Sequence, residues 1–217
     1  MFFVIGFIIL FLPVILFYPT KVIHKENLPK KGKKAIVTSN HFSNFDPIIF
    51  DIFLFRKFRY MGKKELFENK FVGFFMKDFG GIPVDREQIT PSTYKLTMSE
   101  LKKEKQLFIF PEGTRNKSGS EELLEIKSGF LIFASKGECP ITPMLMYRKP
   151  KAFRKNYVVI GKPFELVGEN PKRLTKEELE ENLERFLQVM KDLRTELNEY
   201  VESRKRKNKK KAKKEQA

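Results

Sequence analysis

The sequence predicts an α/β fold in which helices flank a central, mostly parallel β-sheet. Short runs of apolar residues alternate along the chain with longer stretches of helical character. This alternation is typical of a layered architecture around one sheet. The chain has 217 residues, 41% of them hydrophobic, which is enough for one core and excludes a disordered chain. Since no internal repeat and no mid-chain linker interrupts it, we expect a single domain.

Buried strands are predicted where a short apolar run is bounded by Gly, Pro or polar residues. The first follows a turn at 29–32 and leads into a polar loop at 39–46. The second is closed by Pro111. The predicted strands are 35–38, 106–110, 141–147 and 157–160, with a short extended segment at 82–84.

Helices are predicted between these strands. The first begins at Asp46, interpreted as the N-cap because Pro47 follows at the position that proline favours. Its apolar residues continue to Phe58. The second is rich in Phe and ends at a Gly-Gly pair. The predicted ranges are 46–58, 64–79, 91–104 and 123–135.

The last folded element is predicted to be an amphipathic helix over 175–202. Thr175 and Glu178 have the spacing of a capping box, which marks a helix start. Apolar residues then recur at alternating spacings of four and three, at Leu179, Leu183, Phe186, Met190, Leu193, Leu197 and Tyr200. We expect this face to pack against the domain rather than against a partner helix.

The amino-terminal segment predicts a membrane anchor over 1–19, because residues 1–18 contain no charged side chain. As a helix they would reach roughly 27 Å, against a hydrocarbon thickness of about 30 Å, so a transmembrane and a monotopic anchor both fit. No basic residue precedes the run and no small-residue cleavage site follows it, which disfavours a signal peptide. Lysines cluster just beyond it, so the domain is predicted on the cytoplasmic face of the cell membrane.

The charge balance predicts an anionic partner, since 43 Lys and Arg against 27 Asp and Glu give a net charge of +16. Nucleic acid, acidic lipid and an acidic carrier protein all meet this condition. Half of the excess lies in 203–217, with nine Lys or Arg and one Glu. Because this run lacks apolar residues to bury, we predict a flexible basic tail that is attracted to anionic lipid headgroups.

Cysteine and histidine are scarce. One Cys excludes a disulfide scaffold and a Cys-based zinc site, and two His leave little room for a metal centre, so no metal is expected. His41 is followed five positions later by Asp46. An imidazole titrates close to neutral pH, and a carboxylate on its other nitrogen would orient it as a general base. A chance pair is the simpler interpretation of these two residues taken alone. No Ser or Cys nucleophile motif lies nearby, so a base here would deprotonate a substrate.

Residues 110–115 (FPEGTR) follow a predicted buried strand, where α/β folds tend to place their sites. Gly113 permits a tight turn, and Arg115 can bind a phosphate through two donors. On the hexapeptide alone, a surface ion pair between Glu112 and Arg115 is an equally good interpretation.

Two further cations are candidates for an anionic ligand. Arg86 follows the extended segment 82–84, where it could also pair with Asp85. Lys63 would add positive potential, although solvated surface is the default interpretation of a lysine in so basic a chain.

In order and spacing these segments resemble the motif blocks of the glycerolipid acyltransferases, specifically the 1-acylglycerol-3-phosphate (lysophosphatidate) acyltransferases. Residues 40–46 (NHFSNFD) match the N-H-x-S-x-x-D block, and 110–115 match F-P-E-G-T-R residue for residue. Residues 81–86 and 140–144 are similar to the second and fourth blocks, and 127–129 (KSG) to the K-x-G after the third. The resemblance covers roughly residues 20–165, and two matched blocks are far more specific together than either alone.

The resemblance implies an acyltransferase domain over 20–202 that makes phosphatidic acid. The acyl group would pass from acyl-CoA or acyl carrier protein to the sn-2 hydroxyl of 1-acylglycerol 3-phosphate, without a cofactor or an acyl-enzyme. His41 would take the hydroxyl proton and Asp46 would orient the imidazole. The implied residues for the phosphate and the acceptor site are Arg115, Glu112, Gly113, Thr114, Arg86 and Lys63.

Two alternatives stay open. Within the same chemistry, another lysolipid such as a lyso-ornithine lipid is a possible acceptor. From a different class, the chain would be a membrane-tethered nucleic-acid-binding protein acting through its basic tail, which leaves both matched blocks unexplained. The expected partners are therefore a phospholipid membrane surface, lysophosphatidate and the acyl donor, and no nucleic acid.

Overall fold

The fold is built on a seven-stranded sheet with the strand order β1-β7-β6-β2-β5-β3-β4. The computed structural model describes residues 11–85, 90–118 and 122–215. The strands are β1 (Thr20–Ile23), β2 (Ala35–Thr38), β3 (Arg59–Lys63), β4 (Ile82–Val84), β5 (Gln106–Ile109), β6 (Ile141–Met146) and β7 (Asn156–Ile160).

Neighbouring strands of this sheet run parallel, except that β6 and β7 pair antiparallel. The predicted mostly parallel sheet is therefore confirmed. The carboxyl ends of β2 to β6 lie together along one rim of the sheet, which we call the upper rim. Because β1 and β7 run the other way, their first residues, Thr20 and Asn156, lie at the upper rim as well.

Helices cover both faces of the sheet and enclose an apolar core on each. On β2, Ile36 belongs to the first core and Val37 to the second, as the two-residue period of a strand requires. Besides the helical residues 11–17, the described α-helices are α1 (Asp46–Leu54), α2 (Glu65–Glu68), α3 (Lys70–Asp78), α4 (Pro91–Lys102), α5 (Gly129–Gly137) and α6 (Lys176–Glu215). Helices α4, α5 and α6 cover the first core, whereas α1 and the helical residues 11–17 cover the second.

Two strands, β1 and β3, are not predicted from the sequence. Each is short and carries polar or charged residues (TKVI and RYMGK), so neither has a continuous apolar run. β3 is recognisable only from its partners, since it pairs with β5 on one side and β4 on the other. The apolar stretch predicted as helix up to Phe58 accordingly ends as helix at Leu54.

Two predicted helices have different bounds in the structure. The helix predicted at 64–79 is divided at Asn69, whose Oδ1 accepts a hydrogen bond of 3.0 Å from the Val72 N–H and starts α3. The helix predicted at 123–135 begins only at Gly129. Before it, the Lys127 N–H donates to the Pro111 carbonyl at 2.9 Å, so this segment bonds to the neighbouring loop instead of to itself.

The capping box that starts α6 is confirmed. The Glu178 N–H donates to the Thr175 Oγ1 at 3.2 Å, and the Thr175 N–H donates to the Glu178 carboxylate at 2.8 Å. The apolar stripe of the helix packs into the first core, where Phe186, Met190 and Leu197 are fully buried. The prediction that this helix packs against its own domain is therefore confirmed.

The end predicted for this helix at 202 is wrong, because α6 continues to Glu215. Side chains at 202–210 are exposed, so burial does not hold this part of the helix. Lys and Arg have high helix propensities, and a helix that is already packed extends without a new nucleation step. Cations near the carboxyl end also interact favourably with the helix dipole. Residues 203–215 are therefore a helical extension of α6 and not a coil.

The membrane anchor predicted at 1–19 lies partly outside the described residues, which begin at 11. Residues 11–17 are helical, and Val14 is buried in the second core. Among the residues that the structure describes, no helix has both the length and the apolar character needed to cross a bilayer. The anchor stays a prediction.

Candidate active site

Two polar loops leave the upper rim side by side, because the strands that precede them are neighbours. β2 and β5 pair in register from Ala35 with Gln106 to Thr38 with Ile109. The loop 39–45 follows β2 and the loop 110–116 follows β5. A backbone hydrogen bond joins them, since the Asn116 N–H donates to the His41 carbonyl at 2.7 Å. The sheet thus brings the two matched sequence blocks into contact.

His41 and Asp46 form a buried pair. The imidazole Nδ1 lies 2.9 Å from the Asp46 Oδ2, and the Asp46 side chain is completely buried. The same oxygen accepts hydrogen bonds from the N–H groups of Phe42 and Ser43, at 2.7 and 2.8 Å. Three donors therefore converge on one carboxylate oxygen and fix it against the imidazole.

The prediction that Asp46 is the N-cap of α1 is wrong. Phe45 occupies that position and Asp46 is the first helical residue. An N-cap side chain accepts from N–H groups ahead of it in the first turn, whereas the Asp46 carboxylate turns back to the loop before the helix. It therefore orders the loop that carries His41 rather than the start of the helix.

The His41 ring is held by stacking as well as by its hydrogen bond. It lies on the Phe110 ring, with centroids 3.9 Å apart and planes inclined by 16°. Because the Asp46 carboxylate is an acceptor, the neutral imidazole carries its proton on Nδ1 and a lone pair on Nε2. No other described residue hydrogen-bonds to Nε2, and His41 is 9% exposed. The arrangement leaves Nε2 as a proton acceptor.

Glu112 lies directly behind this pair. It is 4% exposed, and its Oε2 accepts a long hydrogen bond of 3.4 Å from the His41 N–H. Burial raises the pKa of Glu112 to about 7, although the backbone N–H groups of His41 and Leu124 oppose that shift. Gly113 follows at φ +65°, a backbone conformation that favours glycine, and so lets the chain turn at this point.

Arg115 reaches from the second loop across to the first. Its Nη1 donates to the side-chain oxygen of Asn44 at 3.0 Å, and Asn44 lies between His41 and Asp46 in the sequence. The guanidinium is half-exposed, so its other donors remain open to a ligand. Thr114 beside it is exposed. The alternative interpretation, an ion pair between Glu112 and Arg115, is not found among the described contacts.

Of the other two candidate cations, Lys63 has no contact with this cluster among the described residues. Lys63 ends β3 and is exposed, and its ammonium lies 3.3 Å from the Glu65 carboxylate. Arg86 lies outside the described residues. Within the described part of the chain, no group of three or more His, Cys, Asp and Glu could hold a metal ion.

Asn40 and Phe110 support the site, although no role is predicted for either residue from the sequence. Asn40 is buried, and its side chain pairs with the backbone of β6 by donating to the Met146 carbonyl at 2.9 Å and accepting from the Met146 N–H at 2.8 Å. This two-way pairing fixes the loop to the neighbouring strand. A polar residue immediately after a buried strand is the signal that would have identified it.

A second buried polar pair lies beneath the two loops. The Tyr60 hydroxyl is 3.0 Å from the Pro47 carbonyl and 2.8 Å from Asp51 Oδ1. Burial raises the pKa of Asp51 to about 8, so this carboxyl holds a proton at neutral pH. The Tyr60 ring also lies 6.4 Å from that of Phe110. Tyr60 thus contacts the residue after Asp46 and the ring behind His41.

Comparison with known proteins independently supports the resemblance that the two sequence motifs indicate. Residues 19–147 match the family model described as Acyltransferase. A 1-acyl-sn-glycerol-3-phosphate acyltransferase of Bacillus subtilis is 35% identical over 150 residues, which are 66% of this chain and 72% of that protein. The protein of the same name from Helicobacter pylori is 38% identical over 124 residues, 56% of this chain and only 52% of that protein.

The fold is also shared with a solved structure. The crystal structure of the 1-acyl-sn-glycerophosphate (LPA) acyltransferase PlsC from Thermotoga maritima matches with a TM-score of 0.62 and 22% sequence identity. The match covers 84% of this chain and 72% of that one. At this identity the likeness shows a common fold.

Proposed function

The chain belongs to the acyltransferase family, and from that premise we propose that it transfers an acyl group from a thioester to the sn-2 hydroxyl of 1-acylglycerol 3-phosphate. The product would be phosphatidic acid, a precursor of phospholipids. The observation that carries the proposal is the buried His41–Asp46 pair, with its contact of 2.9 Å and an Nε2 to which no other described residue hydrogen-bonds. The names of the Bacillus and Helicobacter relatives support the choice of acceptor.

In this proposal His41 is the general base. Its Nε2 takes the proton of the sn-2 hydroxyl as that oxygen attacks the thioester carbonyl. The Asp46 carboxylate holds the Nδ1 proton and stabilises the imidazolium that forms, as carboxylates do in other histidine-base sites. A base positioned in this way contributes about 10²–10⁴ in rate.

The reaction then ends without a covalent enzyme intermediate. The new C–O bond gives a tetrahedral oxyanion, and its collapse breaks the C–S bond. The imidazolium returns its proton to the leaving thiolate, so His41 ends neutral and the products are the diacyl lipid and a free thiol. The lack of a Ser or Cys nucleophile motif next to His41 in the sequence agrees with this direct transfer.

The phosphate of the acceptor is assigned to Arg115. Its guanidinium is half-exposed and tethered to Asn44, within the loop that carries His41. A planar guanidinium binds phosphate oxygens through two donors, so this contact would orient the hydroxyl as well as the phosphate. Lys63 at the end of β3 and Arg86, two residues after β4 in the sequence, would add positive charge. Glu112, Gly113 and Thr114 would shape the acceptor site.

Membrane attachment and the choice of donor complete the proposal. A net charge of +16 suits an anionic membrane surface and also suits acyl-CoA or acyl carrier protein, which are both anionic. The enzyme would work on the cytoplasmic face of the cell membrane, where its lysines follow the predicted anchor. No cofactor is required by the steps above.

The test is a lipid assay of the full chain against two histidine variants. The chain has two His, so His41→Ala and His24→Ala form a matched pair. His24 is exposed and pairs with Glu196 on α6, away from the two loops. With 1-acylglycerol 3-phosphate and either thioester, we expect His24→Ala to form phosphatidic acid at a rate near wild type. We expect His41→Ala to lose about 10²–10⁴ in rate.

Two results would contradict the proposal. One is formation of phosphatidic acid by His41→Ala at the rate of the wild type. The other is a wild-type enzyme that acylates a lyso-ornithine lipid but not 1-acylglycerol 3-phosphate, which would assign a different acceptor. Mass spectrometry of the lipids formed distinguishes these outcomes.

A further inference from the structure

Three segments outside the two active-site loops also come together at the upper rim. They are the carboxyl end of the helical residues 11–17, the loop 147–155 between β6 and β7, and the last part of α6. The sheet topology requires the first two to be there, because β1 and β7 both begin at this rim and β6 ends there. None of the three contains a residue assigned to the reaction.

Exposed aromatic rings mark this region. Phe153, at the tip of the loop 147–155, is 77% exposed, and its ring lies 4.9 Å from that of Phe17, itself 41% exposed. The Phe153 N–H donates to the Phe17 carbonyl at 2.6 Å, which fixes the loop to the amino-terminal segment. Phe45, between His41 and Asp46 in the first loop, is 53% exposed and faces the Tyr18 ring. We call Phe17, Phe45 and Phe153 the rim aromatics.

Positive charge surrounds the rim aromatics. The loop 147–155 contains five cations and no acidic residue: Arg148, Lys149, Lys151, Arg154 and Lys155. Arg154 hydrogen-bonds to the Lys149 carbonyl and braces the loop. Lys149, Lys151 and Lys155 are exposed. Exposing a phenylalanine ring to water is unfavourable, and the lysines around this ring favour an anionic surface.

Helix α6 brings further cations to the same rim. Near its middle, Arg194 donates to the Tyr147 carbonyl at 2.8 Å, just beyond the end of β6. Two turns later the Tyr200 ring lies 6.0 Å from that of Tyr157 at the start of β7, and Val201 is buried. The helix therefore runs toward the upper rim and passes beyond it. Its exposed cations past that point are Arg204, Lys205, Arg206, Lys207, Lys209 and Lys210.

We propose that this face of the molecule docks on an anionic phospholipid bilayer. The rim aromatics enter the boundary between headgroups and acyl chains, while the lysines of the loop 147–155 and the cations of α6 contact the headgroups. Aromatic rings favour that boundary, and basic residues close to an anionic surface add to the attraction. The loop 147–155 thus acts as a membrane contact in addition to the predicted anchor.

The occupant is assigned as a bilayer rather than an acidic protein for two reasons. The rim aromatics belong to three segments that are separate in the sequence and yet share one rim, which suits a broad apolar layer. The cations extend from the loop to the projecting end of α6, which suits a surface of uniform charge. Docked in this way, the two active-site loops face the membrane, so a lipid acceptor would reach His41 without crossing water.

Because the chain has no Trp, a single introduced Trp can report how deeply its position enters the bilayer. Phe153→Trp places a single fluorophore at the loop tip. Val167→Trp is the matched control, because Val167 is also exposed but lies beyond the carboxyl end of β7, at the opposite rim. Each full-length variant is bound to vesicles of phosphatidylcholine and phosphatidylglycerol whose acyl chains carry bromine. We expect blue-shifted emission and several-fold stronger quenching at position 153 than at 167.

A charge comparison tests the role of the lysines. Two variants share Phe153→Trp and differ in which three lysines are neutralised. The first variant carries Lys149→Gln, Lys151→Gln and Lys155→Gln. The second variant carries Lys30→Gln, Lys31→Gln and Lys33→Gln. The second set removes the same charge from the loop that precedes β2, at the opposite rim. In phosphatidylglycerol vesicles we expect only the first set to weaken vesicle binding and quenching, by about tenfold or more in affinity.

Two results would overturn the proposal. One is quenching at position 153 no stronger than at 167. The other is an equal effect of the two lysine sets. If position 153 is also unquenched and the first lysine set slows only turnover with acyl carrier protein, the face binds that protein instead of the bilayer. Since the fluorescence arms measure no turnover, their failure would leave the proposed acyl transfer untouched.

Discussion

The two loops of the candidate active site hold their buried carboxyl groups in different ways. In the loop after β2, three N–H or imidazole donors converge on one oxygen of Asp46 within 2.7 to 2.9 Å. In the loop after β5, Glu112 is nearly as buried, but the His41 N–H donates to it over a longer distance of 3.4 Å. Burial outweighs the backbone donors His41 and Leu124 and raises the pKa of Glu112 to about 7. The strands beneath are equivalent neighbours, so the difference comes from the loops.

The contrast shows how one site can keep one carboxylate as a fixed acceptor and leave another close to its titration point. A buried carboxylate is stable when donors surround it, and it binds a proton when they are few. Asp46 therefore suits the permanent task of orienting an imidazole. Glu112 suits a structural task in the neighbouring loop, where its charge depends on pH.

The largest effect should come from removing the charge of Asp46. In Asp46→Asn the side chain keeps its shape but no longer stabilises an imidazolium, so we expect kcat to fall by about 10²–10⁴. The measurement is the initial rate of phosphatidic acid formation at saturating substrates. Asp192→Asn, on the exposed side of α6, is the control. A wild-type kcat in Asp46→Asn would mean that the Asp46 carboxylate is not needed for the reaction, and the proposed difference in role between Asp46 and Glu112 would be wrong.

A smaller effect, on stability, should come from Glu112. Its pKa is raised in the folded chain, so between about pH 4.5 and pH 7 the folded chain keeps a proton that the unfolded chain releases. The contribution of Glu112 to the free energy of unfolding should therefore fall by about 3 kcal/mol as the pH rises through this window, and level off above it. Asp51, whose pKa is raised as well, adds a fall of its own, so Glu112→Gln should show a smaller fall than the wild type.

Urea unfolding at several pH values measures this difference. Glu125→Gln, an exposed neighbour in the sequence, should retain the pH dependence of the wild type. Identical pH profiles for the wild type and Glu112→Gln would mean that Glu112 contributes nothing to the pH dependence, which would contradict its raised pKa.

The smallest effect is expected at the outer part of the second loop. Arg115→Gln removes the charge assigned to the phosphate, and a hydrogen bond to a charged group is worth about 1.5–3 kcal/mol. We expect KM for 1-acylglycerol 3-phosphate to rise by about 10–100-fold with a much smaller change in kcat. Steady-state kinetics with varied acceptor measures it, and Arg173→Gln, exposed in the loop before α6, is the control. An unchanged KM would assign the phosphate to another cation.

Much of the fold could be predicted because most core strands have a recognisable local sequence pattern. β2, β5, β6 and β7 are buried along nearly their whole length and read as continuous apolar runs. β1 and β3 belong to the same sheet, but their polar residues interrupt the apolar pattern from which a strand is predicted. They are strands because they pair with neighbouring strands, and local composition does not show this. Local pattern likewise misplaced the end of α6, which continues as helix through a run of lysines.

The same distinction between local sequence pattern and tertiary contact applies to the candidate site. The sequence by itself determined which residues stand together as motifs, since the spacing of His41 and Asp46 and the hexapeptide 110–115 are properties of the chain. Only the tertiary structure decided that these motifs are neighbours, that Phe110 lies under the imidazole, and that Asn40 pairs with β6. It also placed Phe17, Phe45 and Phe153 on one rim. Contacts between distant segments follow from strand order and direction, and no local pattern encodes either.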